Sequence, residues 1–225
     1  MTGAGSALVV RRLGRVAYEP TWRAMQAFTD SRAADTPDEC WLLEHPPVFT
    51  LGRAGRSEHV LDAGAIPLVR VDRGGQVTYH GPGQLVVYTL IDLRARGIGV
   101  RRLVATLEQA VIDVLAEVGV EAGRREAAPG VYVAGAKIAA LGLRVRHGCS
   151  YHGLALNIDC DLAPFACIDP CGYRGLAVTR TRDQGIAIDR DGLAERLVAR
   201  LASALGYARI DDPDAAADPS PGELL

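Results

Sequence analysis

The side chains best suited to covalent chemistry in this sequence are five cysteines and one lysine. The number of cysteines is odd and their spacing is irregular, so we expect reduced thiols rather than a disulfide framework. Lys137 is the only lysine among 25 lysine and arginine residues. An arginine cannot lose its proton in a protein, whereas a lysine can, so Lys137 is a candidate proton carrier. The cysteines are Cys40, Cys149, Cys160, Cys167 and Cys171.

Cys171 stands between Pro170 and Gly172 at the end of a predicted loop. Such a position can expose the sulfur and direct backbone N–H groups towards it, which favours a nucleophilic thiolate. Cys167 and Cys171 could instead be two zinc ligands, or two small buried hydrophobic residues. No second cysteine or histidine pair is well placed to complete a zinc site, so we expect no metal. We assign a packing role to Cys167 and to the three earlier cysteines.

Lys137 lies among small and apolar neighbours, in the segment Gly135-Ala136-Lys137-Ile138-Ala139-Ala140-Leu141-Gly142. In a buried strand these neighbours would desolvate an ammonium group and favour proton transfer, and they would leave room for a ligand. The alternative is an edge lysine that protects a strand from pairing with another chain. That alternative is weakened because arginine serves every other basic position.

A glycine-rich segment delivers two further candidates, Tyr79 and His80, and a second histidine, His152, begins a predicted strand. The segment follows a predicted strand but does not open a helix, which argues against dinucleotide-binding and P-loop sites. It is either a backbone-lined pocket wall or a pair of tight hairpin turns. The segment reads Arg73-Gly74-Gly75-Gln76-Val77-Thr78-Tyr79-His80-Gly81-Pro82-Gly83-Gln84.

The elements that must position these residues follow from hydrophobic periodicity. Helices are predicted over residues 20–34, 100–118 and 193–205. Residues 8–16 are predicted to form a strand pair or an extended entry, and residues 48–51 another extended piece. Strands are predicted over residues 39–44, 67–72 and 85–93, followed by an antiparallel meander over 130–134, 136–145 and 151–158. Strands without regular alternation with helices indicate an α+β fold with a mixed β-sheet and packed helices. We expect one catalytic domain over residues 1–210 and a disordered tail over 211–225.

Composition excludes several classes of protein. The net charge is −2 and the arginines are scattered among acidic residues, so no nucleic-acid partner is expected. The first ten residues lack the basic and apolar regions of a signal peptide, and the apolar runs are too short to cross a bilayer. We therefore expect a cytoplasmic protein that has no membrane partner.

The quoted segments together resemble one known family, the lipoyl (octanoyl) transferases. The resemblance rests on residues 73–86, on Lys137-Ile138-Ala139-Ala140-Leu141-Gly142, on His152-Gly153-Leu154-Ala155-Leu156-Asn157 and on Pro170-Cys171-Gly172. Their order and spacing also fit, and the similarity extends over roughly residues 8–205. It implies the fold of the biotin/lipoate protein ligases, a mixed sheet with helices on one side.

The resemblance also implies a reaction. An octanoyl group passes from the thioester of octanoyl-acyl carrier protein to Cys171, and then to a lysine of a lipoyl domain or of glycine-cleavage H protein. Lys137 would exchange protons, no cofactor would be needed, and the enzyme would act as a monomer in the first step of protein lipoylation. The implied acyl pocket is lined by Arg73, Gly74, Gly75, Gln76, Val77, Thr78, Tyr79, His80, Ala140, Leu141, Gly142, His152, Gly153, Leu154 and Ala155.

Three alternatives remain open from the sequence. A lipoate or biotin ligase of the same fold would adenylate a free acid with ATP and would need no nucleophilic cysteine. A binding module for acyl carrier protein would form no covalent adduct. An interaction domain stabilised by zinc would contain bound metal. The Pro-Cys-Gly placement of Cys171 favours the transferase.

Overall fold

The structure, a computed structural model, describes residues 7–126, 128–170 and 174–214. In this part of the chain, ten strands form two sheets. They are β1 (Ala7–Arg15), β2 (Asp38–Glu44), β3 (Val48–Leu51), β4 (Leu68–Arg70), β5 (Val77–His80), β6 (Gln84–Leu90), β7 (Val131–Val133), β8 (Ala136–Arg146), β9 (Cys149–Asn157) and β10 (Arg209–Asp211). Three helices accompany them: α1 (Tyr18–Ser31), α2 (Val100–Glu117) and α3 (Arg190–Leu205).

The larger sheet is mixed and has the strand order β10-β1-β2-β6-β9-β8-β7. β1 runs parallel to β10 and to β2, and every pairing from β2 to β7 is antiparallel. The central strands β2, β6 and β9 are buried along their whole length. Both faces of this sheet are therefore covered, which explains why these segments read as apolar runs rather than as alternating patterns.

One face of the larger sheet packs against α2 and α3. The apolar residues of α2 recur at helical spacing, and Leu103, Leu107, Val111 and Val114 lie in the main hydrophobic core. The helix α3 begins where the carboxylate of Asp189 accepts a hydrogen bond from the backbone N–H of Gly192, at 2.9 Å. No helix within the described ranges is long and apolar enough to cross a membrane.

The opposite face of the larger sheet carries α1 and the smaller sheet. Met25 of α1 is fully buried against Trp41, Tyr88 and Tyr151. The smaller sheet has the order β4-β3-β5, with β3 parallel to β4 and antiparallel to β5. The expectation of helices on one side is therefore wrong for α1, because aromatic residues of β2, β6 and β9 offer it a second apolar surface.

The α+β class and the mixed sheet are confirmed, and so is the meander, which is formed by β7, β8 and β9. Two strands escaped prediction: β5, inside the glycine-rich segment, and the short β10. Of the expected tail, Asp211 ends β10 and Asp212 forms an ion pair with Arg12 at 2.9 Å. Ordered contacts thus extend past residue 210, while residues 215–225 of the expected tail lie outside the described part.

Strand pairing at the centre of the larger sheet requires glycine at position 153. A Cβ atom there would collide with the backbone carbonyl oxygen of Val87 on β6. We expect Gly153→Ala to lower the free energy of unfolding by about 2 kcal/mol or more, because neither backbone can move without breaking the ladder. Gly123→Ala is the matched control, because no atom lies within 4 Å of its added Cβ. Urea denaturation of both variants tests this; similar midpoints would contradict it.

Candidate functional site

A pocket lies between the two sheets and encloses about 730 Å³, including its open mouth. Most of the residues suggested by the sequence line it. They are Arg73, Gly75, Gln76, Val77, Thr78, His80, Lys137, Ala140, Leu141, Gly142, His152, Gly153, Leu154 and Ala155.

Two residues suggested for the pocket wall lie behind it instead. The backbone N–H of Gly74 donates to the carbonyl of Leu143 at 2.8 Å, which joins the glycine-rich segment to β8. The ring of Tyr79 packs in the core of the smaller sheet, with ring centroids 5.4 Å from Phe165. Three other lining residues belong to the quoted motifs but were not assigned to the pocket: Gln84, Asn157 and Pro170. Sequence reasoning missed Tyr18, Tyr88, Phe165 and Val178.

An extra residue in β8 turns Lys137 into the pocket. β7 and β8 pair Val131 with Ala139 and then Tyr132 with Lys137, so Ile138 is a β-bulge. Ile138 and Ala139 consequently both enter the core beneath the helices, while Lys137 and Ala140 both line the pocket. Without the bulge, the two-residue alternation of a strand would direct Lys137 towards the helices.

Hydrogen bonds fix both backbone groups of Lys137. The N–H of Lys137 donates to the carbonyl of Ala177 at 2.8 Å, and the carbonyl of Lys137 accepts from the N–H of Thr179 at 2.9 Å. Its Nζ donates to the carbonyl of Pro129 at 3.1 Å and lies 5.2 Å from the ring centroid of Tyr132. With 3% of its surface exposed, Lys137 is not the solvent-facing edge lysine of the alternative interpretation.

Only one of the two candidate cysteines lies within the described residues. Cys171 lies outside the described residues, but Pro170, which precedes it in the sequence, lines the same pocket as Lys137. Cys167 packs at the edge of the core of the smaller sheet, and its carbonyl accepts hydrogen bonds from Leu61 and Asp62. Cys167 is therefore held in packing contacts and is not among the lining residues of the pocket.

A series of buried hydrogen bonds connects His80 to the strand that carries Lys137. Nδ1 of His80 lies 3.2 Å from Oε1 of Gln84, and Nε2 of Gln84 donates to Oδ1 of Asn157 at 3.0 Å. Nδ2 of Asn157 donates to the carbonyl of Thr179 at 2.9 Å, and Thr179 in turn donates to the carbonyl of Lys137. One hydrogen-bond network thus positions both His80 and the backbone of Lys137.

This network fixes the protonation of His80. Nε2 of Gln84 also donates to the carbonyl of Tyr79 at 3.2 Å, so the amide oxygen of Gln84 must face the histidine. Nδ1 of His80 therefore carries the hydrogen. Burial holds the pKa of His80 well below its usual range, with further contributions from His45 and Arg73. The ring is neutral at pH 7, and its Nε2 is a hydrogen-bond acceptor.

A third histidine, His45, contacts the pocket-lining residue Tyr88 and was not identified in the sequence. Its Nδ1 donates to the carbonyl of Val16 at 2.7 Å, and its Nε2 accepts from the hydroxyl of Tyr88 at 2.7 Å. Burial lowers the pKa of His45 to about 4, so this ring is also neutral. The hydroxyl of Tyr88, a residue that lines the pocket, is thereby held in one orientation. The signal in the sequence was the turn His45-Pro46-Pro47, which marks only a strand end.

Asp72 accepts hydrogen bonds that fix His152, another residue that lines the pocket. One carboxylate oxygen accepts from Nε1 of Trp22 at 2.9 Å and from Nε2 of His152 at 3.1 Å. The other accepts from the hydroxyl of Tyr151 and from Gln26. Burial opposes ionisation, but the hydrogen bonds from His152 and Tyr151 outweigh it and hold the pKa of Asp72 well below its usual range. Asp72 is therefore a carboxylate that ties α1 to β9.

His152 reaches Asp72 because its backbone leaves the strand conformation. Its φ of 62° lies in the left-handed region, which is uncommon for residues other than glycine. The side chains of Tyr151 and His152 consequently stack against each other, with ring centroids 5.1 Å apart, instead of pointing to opposite faces. Such a local departure typically persists where surrounding contacts enforce it, as Asp72 does here.

Arg73 and a glycine of β8 bring the two sheets together. The guanidinium of Arg73 donates to the carbonyl and to the hydroxyl of Thr50, both at 2.7 Å. A Cβ atom at Gly142 would lie 3.1 Å from Cδ of Arg73 and 3.1 Å from the carbonyl oxygen of Gly74. The absence of a side chain at Gly142 therefore lets the glycine-rich segment lie directly on β8.

The donor groups of the described residues form no cluster of three or more His, Cys, Asp or Glu side chains suited to a metal ion. The glycine-rich segment continues into β5 rather than into a helix, as the sequence indicated. Two features of the arrangement could serve a reaction instead: the amine of the lining residue Lys137 and a wall of small and apolar residues, such as Ala140 and Ala155.

The network can be tested through the chain's one lysine. We expect Asn157→Ala to lower the free energy of unfolding by about 1–3 kcal/mol, because it leaves buried groups of Gln84 and Thr179 without partners. We also expect modification of Lys137 by an amine-reactive reagent, followed by mass spectrometry of its peptide, to become at least about tenfold faster through local opening. Gln109→Ala is the control, because that amide makes only an exposed contact. Unchanged labelling in Asn157→Ala would contradict a positioning role.

Comparison with known proteins supplies the family. Residues 17–202 match the family model described as the lipoyl protein ligase A/B catalytic domain. An octanoyltransferase of Thiobacillus denitrificans is 71% identical over 179 residues, which cover 80% of this chain and 82% of the relative. An octanoyltransferase of Aromatoleum aromaticum is 68% identical over 195 residues, which cover 87% of this chain and 84% of the relative.

Solved structures agree on the fold. A structure from the analysis of the bipartite lipoate protein ligase and E2 lipoyl domain of Thermoplasma acidophilum superposes with a TM-score of 0.71 at 17% identity, covering 92% of this chain and 87% of that one. The biotin protein ligase of Aquifex aeolicus gives a TM-score of 0.53 at 11% identity, covering 89% and 69% of the two chains. The ligase fold implied by the sequence resemblance is confirmed apart from the position of α1, and the chain belongs to the lipoyl protein ligase A/B catalytic domain family.

Proposed function

We propose that this protein is an octanoyltransferase, which moves an octanoyl group from a carrier thioester to a lysine of an acceptor protein. The observation that carries the proposal is the bulge at Ile138, which directs Lys137 into a pocket with an apolar wall. The identity of 71% and 68% to proteins named octanoyltransferase supports the same activity. The enzyme is an acyltransferase whose acceptor reaction ends in an amide.

The first step is a thioester exchange at Cys171. The thiolate of Cys171 attacks the carbonyl carbon of the donor thioester, and a new C–S bond forms while the C–S bond to the carrier breaks. The carrier sulfur leaves as a thiolate and takes a proton from the ammonium of Lys137, which leaves Lys137 neutral. One thioester replaces another, so the step is nearly isoenergetic and needs no ATP. Lys137 as an ammonium would stabilise the thiolate. Pro170, the residue before Cys171, lines the same pocket as Lys137, which supports a position of Cys171 within reach of that pocket.

The second step is aminolysis of this acyl-enzyme. The amine of the acceptor lysine attacks the thioester carbonyl, an amide C–N bond forms, and Cys171 leaves as a thiolate. The attacking amine must lose a proton, and Lys137 in its neutral form accepts it. The formation of an amide from a thioester is downhill. Two substrates that visit one covalent site in turn predict ping-pong kinetics.

The alkyl chain would lie along the middle of the pocket. Ala140, Leu141 and Ala155 present small or apolar surface there, and the opposite wall carries Val77. Each methylene that is moved from water into such a wall contributes about 0.8 kcal/mol. The glycine-rich segment serves as the backbone wall that the sequence suggested, with Gly75 and Gln76 along the pocket.

The partners are part of the proposal. The donor is octanoyl-acyl carrier protein, and the acceptors are lipoyl domains and glycine-cleavage H protein, which receive the first modification of protein lipoylation. We propose that the enzyme works as a monomer in the cytoplasm, with no cofactor and with no nucleic-acid or membrane partner. The fold shared with a lipoate ligase is consistent with an acceptor that presents a lysine.

An ATP-dependent ligase is the second candidate, because the fold is shared with lipoate and biotin ligases. Such an enzyme would activate free octanoate as an adenylate and would not need Cys171. Incubation with ATP, octanoate and an acceptor domain distinguishes the two. Octanoylation that depends on ATP and survives Cys171→Ser would replace the transferase assignment.

The acyl-enzyme provides a direct test of the nucleophile. We expect octanoyl-acyl carrier protein alone, without an acceptor, to increase the mass of the protein by one octanoyl group. Cys171→Ala should abolish this increase because it removes the attacking sulfur. Cys167→Ala, the matched control four residues earlier, should retain it, because Cys167 packs in the core of the smaller sheet. Loss of the adduct in Cys167→Ala alone would transfer the role to that cysteine.

The role of Lys137 can be separated from its charge. Lys137→Arg keeps a positive charge but cannot accept a proton near neutral pH, so we expect kcat/KM for octanoyl transfer to fall by about 10²-fold or more. Lys137→Met removes both properties and should be at least as impaired. Circular dichroism and the urea midpoint establish that both variants are folded. Activity of Lys137→Arg near that of the wild type would contradict proton transfer by this residue.

A further inference from the structure

A buried carboxylate on α2 has no use in the reaction described so far. Glu108 is 7% exposed, and it belongs to a helix that covers the face of the larger sheet opposite to the pocket. One of its carboxylate oxygens accepts a hydrogen bond from Nε of Arg124 at 2.9 Å. A buried carboxylate is costly unless all its oxygens are satisfied, and solvent weakens an ion pair with a half-exposed arginine. The partner of the second oxygen therefore matters.

The second oxygen of Glu108 binds the peptide group that holds the amine of Lys137. Oε1 of Glu108 accepts a hydrogen bond from the backbone N–H of Gly130 at 3.0 Å. That N–H belongs to the same peptide group as the carbonyl of Pro129, which accepts from Nζ of Lys137 at 3.1 Å. Because the N–H and C=O of a trans peptide are coplanar and point in opposite directions, the carboxylate fixes the direction in which the carbonyl meets the amine.

The end of the lysine side chain lies directly on this peptide group. A Cβ atom at Gly130 would lie 3.0 Å from Cε and 3.2 Å from Nζ of Lys137. On the other side, the hydroxyl of Tyr132 donates to the carbonyl of Ala128 at 2.9 Å. The chain is thus fastened before and after the peptide group, and Glu108 opposes the rotation that would turn its carbonyl away from Nζ. A carboxylate on the N–H also polarises the peptide and strengthens its carbonyl as an acceptor.

Resting on the octanoyltransferase proposal, we propose that Glu108 is a positioning residue for proton transfer by Lys137 and acts through the peptide group between Pro129 and Gly130. Nζ exchanges a proton with the departing sulfur and with the attacking amine, which requires hydrogen-bond distances of about 2.6–3.2 Å. A misplacement of about 1 Å can lower such a rate by about 10²-fold. Glu108 is not among the described residues that line the pocket, so it affects the rate constant and not the binding of the donor.

Three substitutions separate the hydrogen bond of Glu108 from its charge. Glu108→Gln keeps an oxygen that can accept from the N–H of Gly130 but removes the negative charge. Glu108→Asp keeps the charge but is shorter by one C–C bond of about 1.5 Å, so it does not reach that N–H. Glu108→Met removes both properties at similar volume. Acylation by octanoyl-acyl carrier protein without an acceptor, followed by intact-protein mass, gives the maximal rate constant and the half-saturating donor concentration.

The hydrogen bond, and not the charge, should decide the rate. We expect the maximal rate constant of Glu108→Gln to stay within about threefold of the wild type, and those of Glu108→Asp and Glu108→Met to fall by about tenfold or more. The half-saturating donor concentration should stay within about twofold in all three, because the pocket wall is unchanged. Thr106→Val is the matched control on α2, because the hydroxyl of Thr106 donates to the carbonyl of Arg102 in the same helix. It should change neither quantity.

Several results would overturn the positioning role. Glu108→Met with a rate constant near that of the wild type would do so, and so would Glu108→Asp faster than Glu108→Gln, which would assign the effect to charge. A purely structural Glu108 would lower the urea midpoint and leave the rate constant of the folded fraction unchanged. If Glu108→Met does not fold, the comparison of Glu108→Gln with Glu108→Asp decides. Failure of the wild type to form an acyl-enzyme would instead refute the proposed transferase and is seen in the same experiment.

Discussion

The site depends on one extra residue in a strand. A regular β8 would place Lys137 on the face that packs against α2 and α3, where an ammonium group would have no access to substrate. The bulge at Ile138 reverses the direction of Lys137 while leaving the pairing of Ala139 with Leu156 on β9 intact. The cost of one disrupted ladder position is offset by the segment 177–179, which supplies new partners to the Lys137 backbone. The position of Lys137 in the pocket therefore depends on the bulge.

The fold was predictable where the physical signal is local. The period of α2 and the apolar runs of β2, β6 and β9 identify these elements because burial imposes the pattern directly on the sequence. The position of α1 on the opposite face was not predictable, because it depends on aromatic residues contributed by three separate strands. The short strand β10 was missed for a similar reason: its three residues gain their order from pairing with β1, far away in the sequence.

The site was predictable as a set of residue types but not as a geometry. The lone Lys137 and the glycine-rich segment were visible, since composition and turn chemistry single them out. Asp72 and His45 were not, because an acidic residue before an arginine and a histidine before two prolines are common surface patterns. Their importance arises only when folding brings Asp72 to Tyr151 and His152, which lie 79 and 80 residues away in the sequence. The sequence likewise gives no sign that Ile138 is the residue that bulges.

A pocket for an alkyl chain does not itself require the many polar groups around it. Their role is to hold backbone that departs from regular structure, namely the bulge beside Lys137 and the left-handed His152. Gln84 and Asn157 use both ends of their amides internally, and the Asp72 carboxylate accepts four hydrogen bonds, so these groups offer little to a ligand. Because the frame is satisfied in this way, the apolar wall can be rigid without exposing polar atoms to the chain.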